Sequence, residues 1–128
     1  TICSLGLKRV RLLGQVNSFD VYKKAKILLL TSAFEGFPLV LNEAKQCACV
    51  PIAMDSFESV HELINNGEDG LIISNNDLNT FLEGLKYLMS HNDILREMSK
   101  KSVLNTRKYE VSRLCNIWMD LFKSIVNN

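Results

Sequence analysis

Helices flanking a parallel β-sheet are the architecture that this sequence predicts, an α/β fold of one domain. Apolar runs without polar alternation, such as Ile27–Thr31 and Val50–Met54, are typical of strands that are covered on both faces. Segments with helical periodicity separate these runs, and such alternation implies parallel strands joined by right-handed crossovers. The chain has 128 residues, of which 47% are hydrophobic, so it corresponds to one domain (residues 1–128) with a sizeable core.

The first half of the chain shows the alternation most clearly. Gly14 closes a short apolar run, and Ser18 is a suitable N-cap for the helix that follows it. Pro38 suits the first position of the next helix, where a backbone N–H would be unpaired anyway. The predicted order is the tail of a helix over Thr1–Leu7, a strand over Arg9–Leu13, a helix over Ser18–Lys26, a strand over Ile27–Thr31 and a helix over Pro38–Ala48.

The second half is predicted to end in helices. Gly67 has the position of a glycine that terminates a helix. Two long apolar stripes follow at helical spacing, and we expect both to pack on the sheet, with Trp118 in a structural role. The predicted order is a strand over Val50–Met54, a helix over Glu58–Asn66, a strand over Leu71–Ile73, a helix over residues 78–89, a shorter helix around residues 94–98 and a last helix over residues 111–125.

Charge and cysteine content exclude some classes of protein. The net charge of +1 argues against a dedicated nucleic-acid surface, and the basic residues between Lys8 and Lys26 are interpreted as a solvated face. Cys47 and Cys49 lack the two-residue spacer of redox and zinc motifs. Together with Cys3 and Cys115 they are interpreted as small buried hydrophobes, whose reduced thiols suggest the cytoplasm.

No leader peptide and no apolar run long enough to cross a bilayer is apparent in these residues. His61 and His91 stand alone in the sequence, so no metal-ligand cluster is predicted. The chain starts without Met, inside what reads as the tail of a helix, which suggests a piece of a longer protein.

The segment from Ser32 to Ala44 carries the candidate functional residues. It is predicted to form a tight turn that leads from a buried strand into a helix, with Gly36 in the turn. The free N–H groups and the positive dipole end of a helix start form a ready anion site. Glu35 in the turn and Glu43 about one helical turn further on flank this site with two carboxylates.

This segment resembles the donor-binding motif of the family 4 retaining glycosyltransferases with the GT-B fold, the glycosyl transferases group 1. The motif is a glutamate, seven residues and a second glutamate, here with Gly-Phe-Pro-Leu-Val between Glu35 and Glu43. The resemblance extends along nearly the whole chain in the right order, through Val10–Gly14, Tyr22–Lys26, Leu30–Ser32, Val50–Asp55 and Asn66–Ile73. It implies a Rossmann-like sheet, the C-terminal part of a GT-B fold that is truncated at its N-terminus.

The resemblance also implies roles for individual residues. Glu43 would bind the ribose of a nucleotide-diphosphate sugar, with UDP as the favoured nucleotide, and Glu35 would bind the sugar hydroxyls. Glu35 is therefore the candidate catalytic residue, without being assigned as a covalent nucleophile. The N–H groups of Phe37, Leu39 and Val40 would bind the diphosphate, to which Pro38 has no N–H to offer. The Gly36-Phe37 backbone would lie alongside Glu35 at the sugar, and Val16 would meet the base. Neither a metal nor another cofactor is implied.

In that family the sugar is transferred to a glycan or lipid-linked acceptor in bacterial polysaccharide biosynthesis. The acceptor domain, two initial strands and an Arg/Lys pair of the family are not recognisable in these 128 residues. We therefore expect the chain alone to bind donor weakly and to transfer nothing, with an open sheet edge. Any association with the inner membrane would come from the acceptor domain. The last helix of that family often reaches back toward the other domain, so part of the apolar face over residues 111–125 could instead lie between the domains.

One departure from the family concerns the loop after the predicted strand Val50–Met54. Asp55–Glu58 replaces an Asp-x-Gly-Gly segment, so this loop could alter contacts with the donor. A non-catalytic α/β interaction module is the alternative reading of the whole chain. A dehydrogenase is disfavoured, because no Gly-x-Gly-x-x-Gly follows a strand. A retaining hydrolase also uses two carboxylates, but a helix start suited to phosphate favours transfer from an activated donor.

Overall fold

The computed structural model describes residues 6–126, in which a parallel sheet lies between helices. The strands are β1 (Ile27–Leu30), β2 (Val50–Asp55) and β3 (Leu71–Ser74). The helices are α1 (Ser18–Tyr22), α2 (Leu39–Gln46), α3 (Val60–Leu63), α4 (Leu78–Ser90), α5 (Asn92–Thr106) and α6 (Val111–Val126), with a 3₁₀ turn at Arg107–Tyr109. Most of the helix tail predicted over Thr1–Leu7, and Cys3 with it, lies outside the described residues.

The sheet confirms the predicted parallel α/β architecture. Its strands run in the order β1-β2-β3, and both pairs are parallel. Ile27 lies opposite Val50, and Ile52 lies opposite Leu71. Among the described residues β1 and β3 each pair on one side only, so the sheet has an open edge along each of these strands.

Two apolar layers hold the helices to the two faces of the sheet. On one face, side chains of β2 and β3 pack with α4 and α5 in a cluster formed by Val50, Ile52, Met54, Ile73, Phe81, Leu88, Leu95 and Met98. On the other face, α2 and α3 contribute to a cluster of Leu41, Ala53, Phe57, Val60, Leu63 and Ile64. Fully burying one such side chain is worth about 1.5–3 kcal/mol. These layers fix α2, whose start carries the candidate site, against the sheet.

Several element boundaries differ from the prediction. The strand predicted over Arg9–Leu13 is wrong, because this segment has no strand partner among the described residues, and Leu12 is 84% exposed. The prediction that Ser18 is the N-cap is wrong, because Ser18 is the first helical residue and Asn17 caps the helix with its Oδ1, which accepts a hydrogen bond from Phe19 N at 3.0 Å. This helix ends at Tyr22 and not at Lys26. Helix α3 is shorter than predicted, and α5 is longer, at 15 residues.

The prediction that the last apolar stripe packs on the sheet is wrong. Every residue of α6 is exposed, including Trp118 at 57% and Cys115, which had been expected to be buried. Periodicity predicts which face of a helix is apolar but not whether another element covers that face. Of the other cysteines, Cys49 is buried as predicted and Cys47 is partly buried.

Replacing Ala48 with glycine is expected to stabilise the folded protein. Its φ of 63° is the left-handed conformation that ends α2, and this conformation costs an L-residue about 1–2 kcal/mol. Ala48→Gly should therefore raise the free energy of unfolding in urea by about 0.5–1 kcal/mol, net of the extra entropy of the unfolded chain. Asn76→Gly is the matched control, because Asn76 has a φ of 61° but belongs to a residue type that tolerates it. An equal or larger gain at Asn76 would contradict this account.

Cys49 is expected to make stability fall at high pH. Burial raises the pKa of this thiol from 9.0 to about 11, with a smaller contribution from Cys47. Between these values the folded chain keeps the proton while the unfolded chain releases it, so stability present below pH 9 is lost as pH rises. The loss should reach about 2 kcal/mol at pH 10.5. Urea unfolding of the wild type and of Cys49→Ala at pH 8 and pH 10.5 measures it, and equal losses in the two proteins would rule out this origin.

Candidate functional site

The segment from Ser32 to Pro38 connects the carboxyl end of β1 to α2, as the sequence predicts. In an open parallel sheet, ligands bind in the crevice outside the carboxyl ends of the strands. The carboxyl end of β2, at Asp55, lies beside this segment because β1 and β2 are parallel neighbours. The sequence-predicted turn therefore lies at the edge of the sheet where ligand sites occur.

The start of α2 leaves backbone donors open. Pro38 is the N-cap rather than the predicted first helical residue, and no side chain caps the helix. Leu41 N donates to Pro38 O at 3.1 Å, but within residues 6–126 the N–H groups of Leu39 and Val40 have no hydrogen-bond acceptor. A helix start with free N–H groups and a positive dipole end can bind an anionic group such as a phosphate.

The turn itself is held by the loop that follows β2. Ser56 Oγ donates to Ser32 O at 2.5 Å, and Ser59 Oγ donates to Gly36 O at 2.7 Å. The sequence analysis missed both serines as contributors to the site, although it expected the Asp55–Glu58 segment to affect it. Two hydroxyl residues three positions apart, directly after a buried strand, are the signal that could have indicated them.

Phe37 anchors the other side of the turn. Its ring contacts the ring of Tyr109 edge to face, with the centroids 5.8 Å apart. Tyr109 in turn donates to Glu62 O at 3.2 Å, and Lys108 donates to the same carbonyl at 2.5 Å. The turn is thus fixed from two directions, by the loop after β2 and by the 3₁₀ turn before α6.

Both glutamates of the motif are partly buried at this edge. In the described part of the chain, neither the Glu35 nor the Glu43 carboxylate takes part in a hydrogen bond or a salt bridge. Burial raises the pKa of Tyr22, and the negative charge of Glu43 raises it further, which places that carboxylate close to α1. The two carboxylates are therefore available to accept hydrogen bonds from a ligand.

Gly36 leaves space above the turn. A Cβ added at this position would meet no protein atom within 4 Å, so a ligand could approach the backbone here without displacing the protein. The glycine is exposed, and the side chain of Leu39 next to it is also exposed. Glu35, Gly36, Phe37, Pro38, Leu39, Val40 and Glu43 thus lie together in one turn and the first helical turns after it.

Val16 is less clearly connected to this site. It precedes α1 and lines a cavity of about 720 Å³ together with Arg11, Leu13, Asp20 and Lys24. No residue of the Glu35–Glu43 motif lines that cavity. Its role in contacting a base stays a prediction.

One histidine, His61, lies near the carboxyl end of β2. His61 Nε2 lies 2.9 Å from Asp55 Oδ1, and both side chains are exposed. Within residues 6–126 no three His, Cys, Asp or Glu side chains are grouped so as to hold a metal ion.

None of the helices in that range has both the length and the apolar character that spanning a membrane requires.

Comparisons with known proteins agree on one family. The model of the family described as "Glycosyl transferases group 1" matches residues 2–107. The chain is 28% identical over 97% of its length to an α-1,4-N-acetyl-D-galactosaminyltransferase of Campylobacter jejuni, which is named for a PP-undecaprenol-linked acceptor, and it covers 34% of that protein. It is 31% identical over 98% of its length to an exopolysaccharide phosphotransferase of Streptomyces coelicolor, of which it covers 14%.

A solved structure shows the same fold. A mutant of Staphylococcus aureus TarM, in complex with fondaparinux, α-GlcNAc-glycerol and UDP, superposes with a TM-score of 0.85 at 24% identity. The superposition covers 94% of this chain and 25% of that one. The chain thus spans about a third or less of the length of these similar proteins.

Proposed function

This chain belongs to the glycosyl transferases group 1 family, and on that premise we propose that it binds the nucleotide-sugar donor of a retaining glycosyltransferase. The donor we favour is a UDP-sugar, and the reaction is transfer to a glycan or lipid-linked acceptor in polysaccharide biosynthesis. One observation carries the proposal: the helix start at Leu39 and Val40 offers N–H groups between two carboxylates, and none of these groups has a hydrogen-bond partner within residues 6–126.

The diphosphate of the donor binds at the start of α2. Leu39 and Val40 donate backbone N–H groups, and Phe37 N adds a third, while Pro38 has none to give. The positive end of the α2 dipole favours the negative charge, by an amount of about 0.3–1 kcal/mol in exposed sites. Gly36 allows the diphosphate and the sugar to approach the backbone closely.

The two carboxylates bind the two sugars of the donor. Glu43 accepts hydrogen bonds from the 2′- and 3′-hydroxyls of the ribose, and Glu35 accepts them from the transferred sugar near its anomeric carbon. A hydrogen bond to a charged group is worth about 1.5–3 kcal/mol. Two such bonds at each sugar supply a large share of the affinity and orient the anomeric carbon for transfer.

The acceptor and the cellular location follow from the same proposal. The Campylobacter jejuni relative is named for a PP-undecaprenol-linked acceptor, and we propose an acceptor of that class here. The enzyme then acts in the cytoplasm, peripherally at the inner membrane. The residues described here supply the donor side of the site without a metal or another cofactor, and by themselves we expect them to bind donor weakly and to transfer nothing.

Titration of the ¹⁵N-labelled chain with nucleotides tests the proposal. The ligands are UDP, UDP-glucose, UDP-N-acetylglucosamine and GDP-mannose, each at up to millimolar concentration. Amide resonances are a better reporter than Trp118 fluorescence, because Trp118 is exposed on α6. We expect saturable shifts centred on Gly36–Glu43, larger for the UDP ligands than for GDP-mannose.

Two results would count against the proposal. Saturable shifts that avoid residues 35–43 would place the nucleotide elsewhere. The absence of any shift at millimolar nucleotide would favour the alternative, a non-catalytic α/β interaction module that has this fold without the chemistry.

A further inference from the structure

A buried ion pair lies beneath the helix that carries Glu43. Lys45 is in the last turn of α2, two residues after Glu43, and only 2% of its side chain is exposed. Its Nζ lies 3.1 Å from Asp69 Oδ2 and donates to Leu63 O at 2.5 Å. Asp69 is 1% exposed. The pair therefore joins α2 to the segment between α3 and β3, inside the protein.

Asp69 is held by partners from two further places in the fold. Its Oδ1 accepts a hydrogen bond from Asn65 N at 2.9 Å, and its Oδ2 accepts one from Asn105 Nδ2. Its backbone carbonyl accepts a hydrogen bond from Ser102 Oγ at 2.5 Å. One carboxylate thus connects α2, the loop before β3 and α5, and every buried side-chain N or O in the described residues has a partner.

The energetics of the pair indicate that its effect is on geometry. Burial lowers the pKa of Lys45, while the charge and the hydrogen bond of Asp69 oppose that change. Because desolvation of two charges offsets much of their attraction, an apolar pair of similar volume would stabilise the fold about as well. Apolar contacts are not directional, whereas hydrogen bonds fix the direction and the length of each contact.

The direction of the hydrogen bonds at Lys45 matters because Glu43 belongs to the same short helix. A rotation of α2 by ~20° about its axis would move a carboxylate at ~6 Å from that axis by ~2 Å. Such a displacement would break the hydrogen bonds between the Glu43 carboxylate and the ribose, because hydrogen-bond lengths vary by only about 0.5 Å. The helix has eight residues, so a directional contact at its last turn bears on the rotation of the whole helix, in addition to the apolar packing of the buried Leu41 and Ala44.

We propose that Lys45 and Asp69 are positioning residues for the donor site. Their ion pair sets the rotation of α2 and thereby places Glu43 for the ribose of the donor. Neither residue touches the donor, because α2 runs away from the carboxyl edge of the sheet and Lys45 lies in its last turn. This inference rests on the proposed function, since it assumes that Glu43 binds the donor nucleotide.

The test separates positioning from stability. Lys45→Met leaves Asp69 buried without its cation, so this variant alone is expected to unfold easily. The double variant Lys45→Met with Asp69→Asn removes both charges and keeps an acceptor for Asn65 N, while the new NH₂ group faces Asn105, whose side-chain amide can flip to accept from it. This variant should therefore regain most of the lost stability. Lys86→Met is the matched control, because Lys86 is exposed on α4. UDP affinity is measured by amide titration at a temperature where each protein is more than about 95% folded. Urea unfolding curves of each protein give that folded fraction.

We expect the double variant to bind UDP about 10-fold more weakly than the wild type, a loss of about 1.4 kcal/mol. The amide resonances of residues 36–43 should also shift without nucleotide present, whereas Lys86→Met should change neither quantity. Wild-type affinity and unchanged resonances in a stable double variant would overturn the inference. A wild-type chain that binds no nucleotide would instead overturn the proposed function, while the resonances of the nucleotide-free variants would still decide whether the pair places α2.

Discussion

Replacing Glu43 with alanine is expected to remove measurable nucleotide binding. In the proposed site its carboxylate accepts two hydrogen bonds from the ribose, each worth about 1.5–3 kcal/mol. Their loss would weaken binding by about 10²- to 10⁴-fold, beyond the range of a millimolar titration. The expected result is a wild-type chain whose Gly36–Glu43 amides shift saturably with UDP, and a variant whose amides do not.

The same substitution should leave the fold intact. The Glu43 carboxylate has no hydrogen-bond or salt-bridge partner within residues 6–126, and alanine is the strongest helix former. The free energy of unfolding, measured in urea, should therefore change by less than about 0.5 kcal/mol. Glu83→Ala, at an exposed position of α4, is the matched control and should bind UDP like the wild type. Retained UDP binding in a folded Glu43→Ala variant would disprove the role assigned to this carboxylate.

Replacing Glu35 with glutamine is expected to reduce the preference for a sugar nucleotide over the free nucleotide. Glu35 accepts hydrogen bonds from the transferred sugar in the proposed site and makes no contact with the nucleoside. Losing one charged hydrogen bond would weaken UDP-sugar binding by about 10- to 150-fold and leave UDP binding unchanged. The ratio of the two Kd values, measured for both proteins by amide titration, checks this.

The comparison of Glu35 and Glu43 distinguishes two functions for the two carboxylates. Glu43→Ala should weaken UDP and UDP-sugar alike, whereas Glu35→Gln should weaken only the UDP-sugar. If Glu35→Gln weakened UDP as strongly as UDP-sugar, Glu35 would contact the diphosphate or the ribose, and its assignment to the sugar would be wrong. Glu58→Gln, at an exposed position after β2, controls for the loss of one negative charge near the site.

Local sequence signals predicted the part of the structure that depends on neighbouring residues. The apolar runs at β1 and β2 need no distant partner to be recognised, and Gly36 with Pro38 marks the turn and the helix start between them. The candidate site could be located from sequence for the same reason, since Glu35 to Glu43 are contiguous. Chain-end segments were predicted less well: Arg9–Leu13 has the composition of a strand, but a strand also requires a partner.

Contacts between distant residues were beyond the reach of local patterns. The bonds from Ser56 to Ser32 and from Ser59 to Gly36 join residues 24 and 23 positions apart, and no periodicity indicates them. Lys45 has the sequence position of an exposed basic residue in the last turn of a helix. Its burial depends on Asp69, 24 positions away, because only a nearby carboxylate makes a buried ammonium tolerable.

The sequence by itself thus determined the order of strands and helices from α1 to α6, the parallel sheet and the position of the two motif glutamates. Hydrophobic periodicity and turn residues are local properties, and they are sufficient for these features. The tertiary structure alone decided that α6 has an exposed apolar face, that two serines hold the turn, and that Lys45 is buried against Asp69. Burial and hydrogen bonding are properties of the folded surroundings, which form only when residues far apart in the chain pack together.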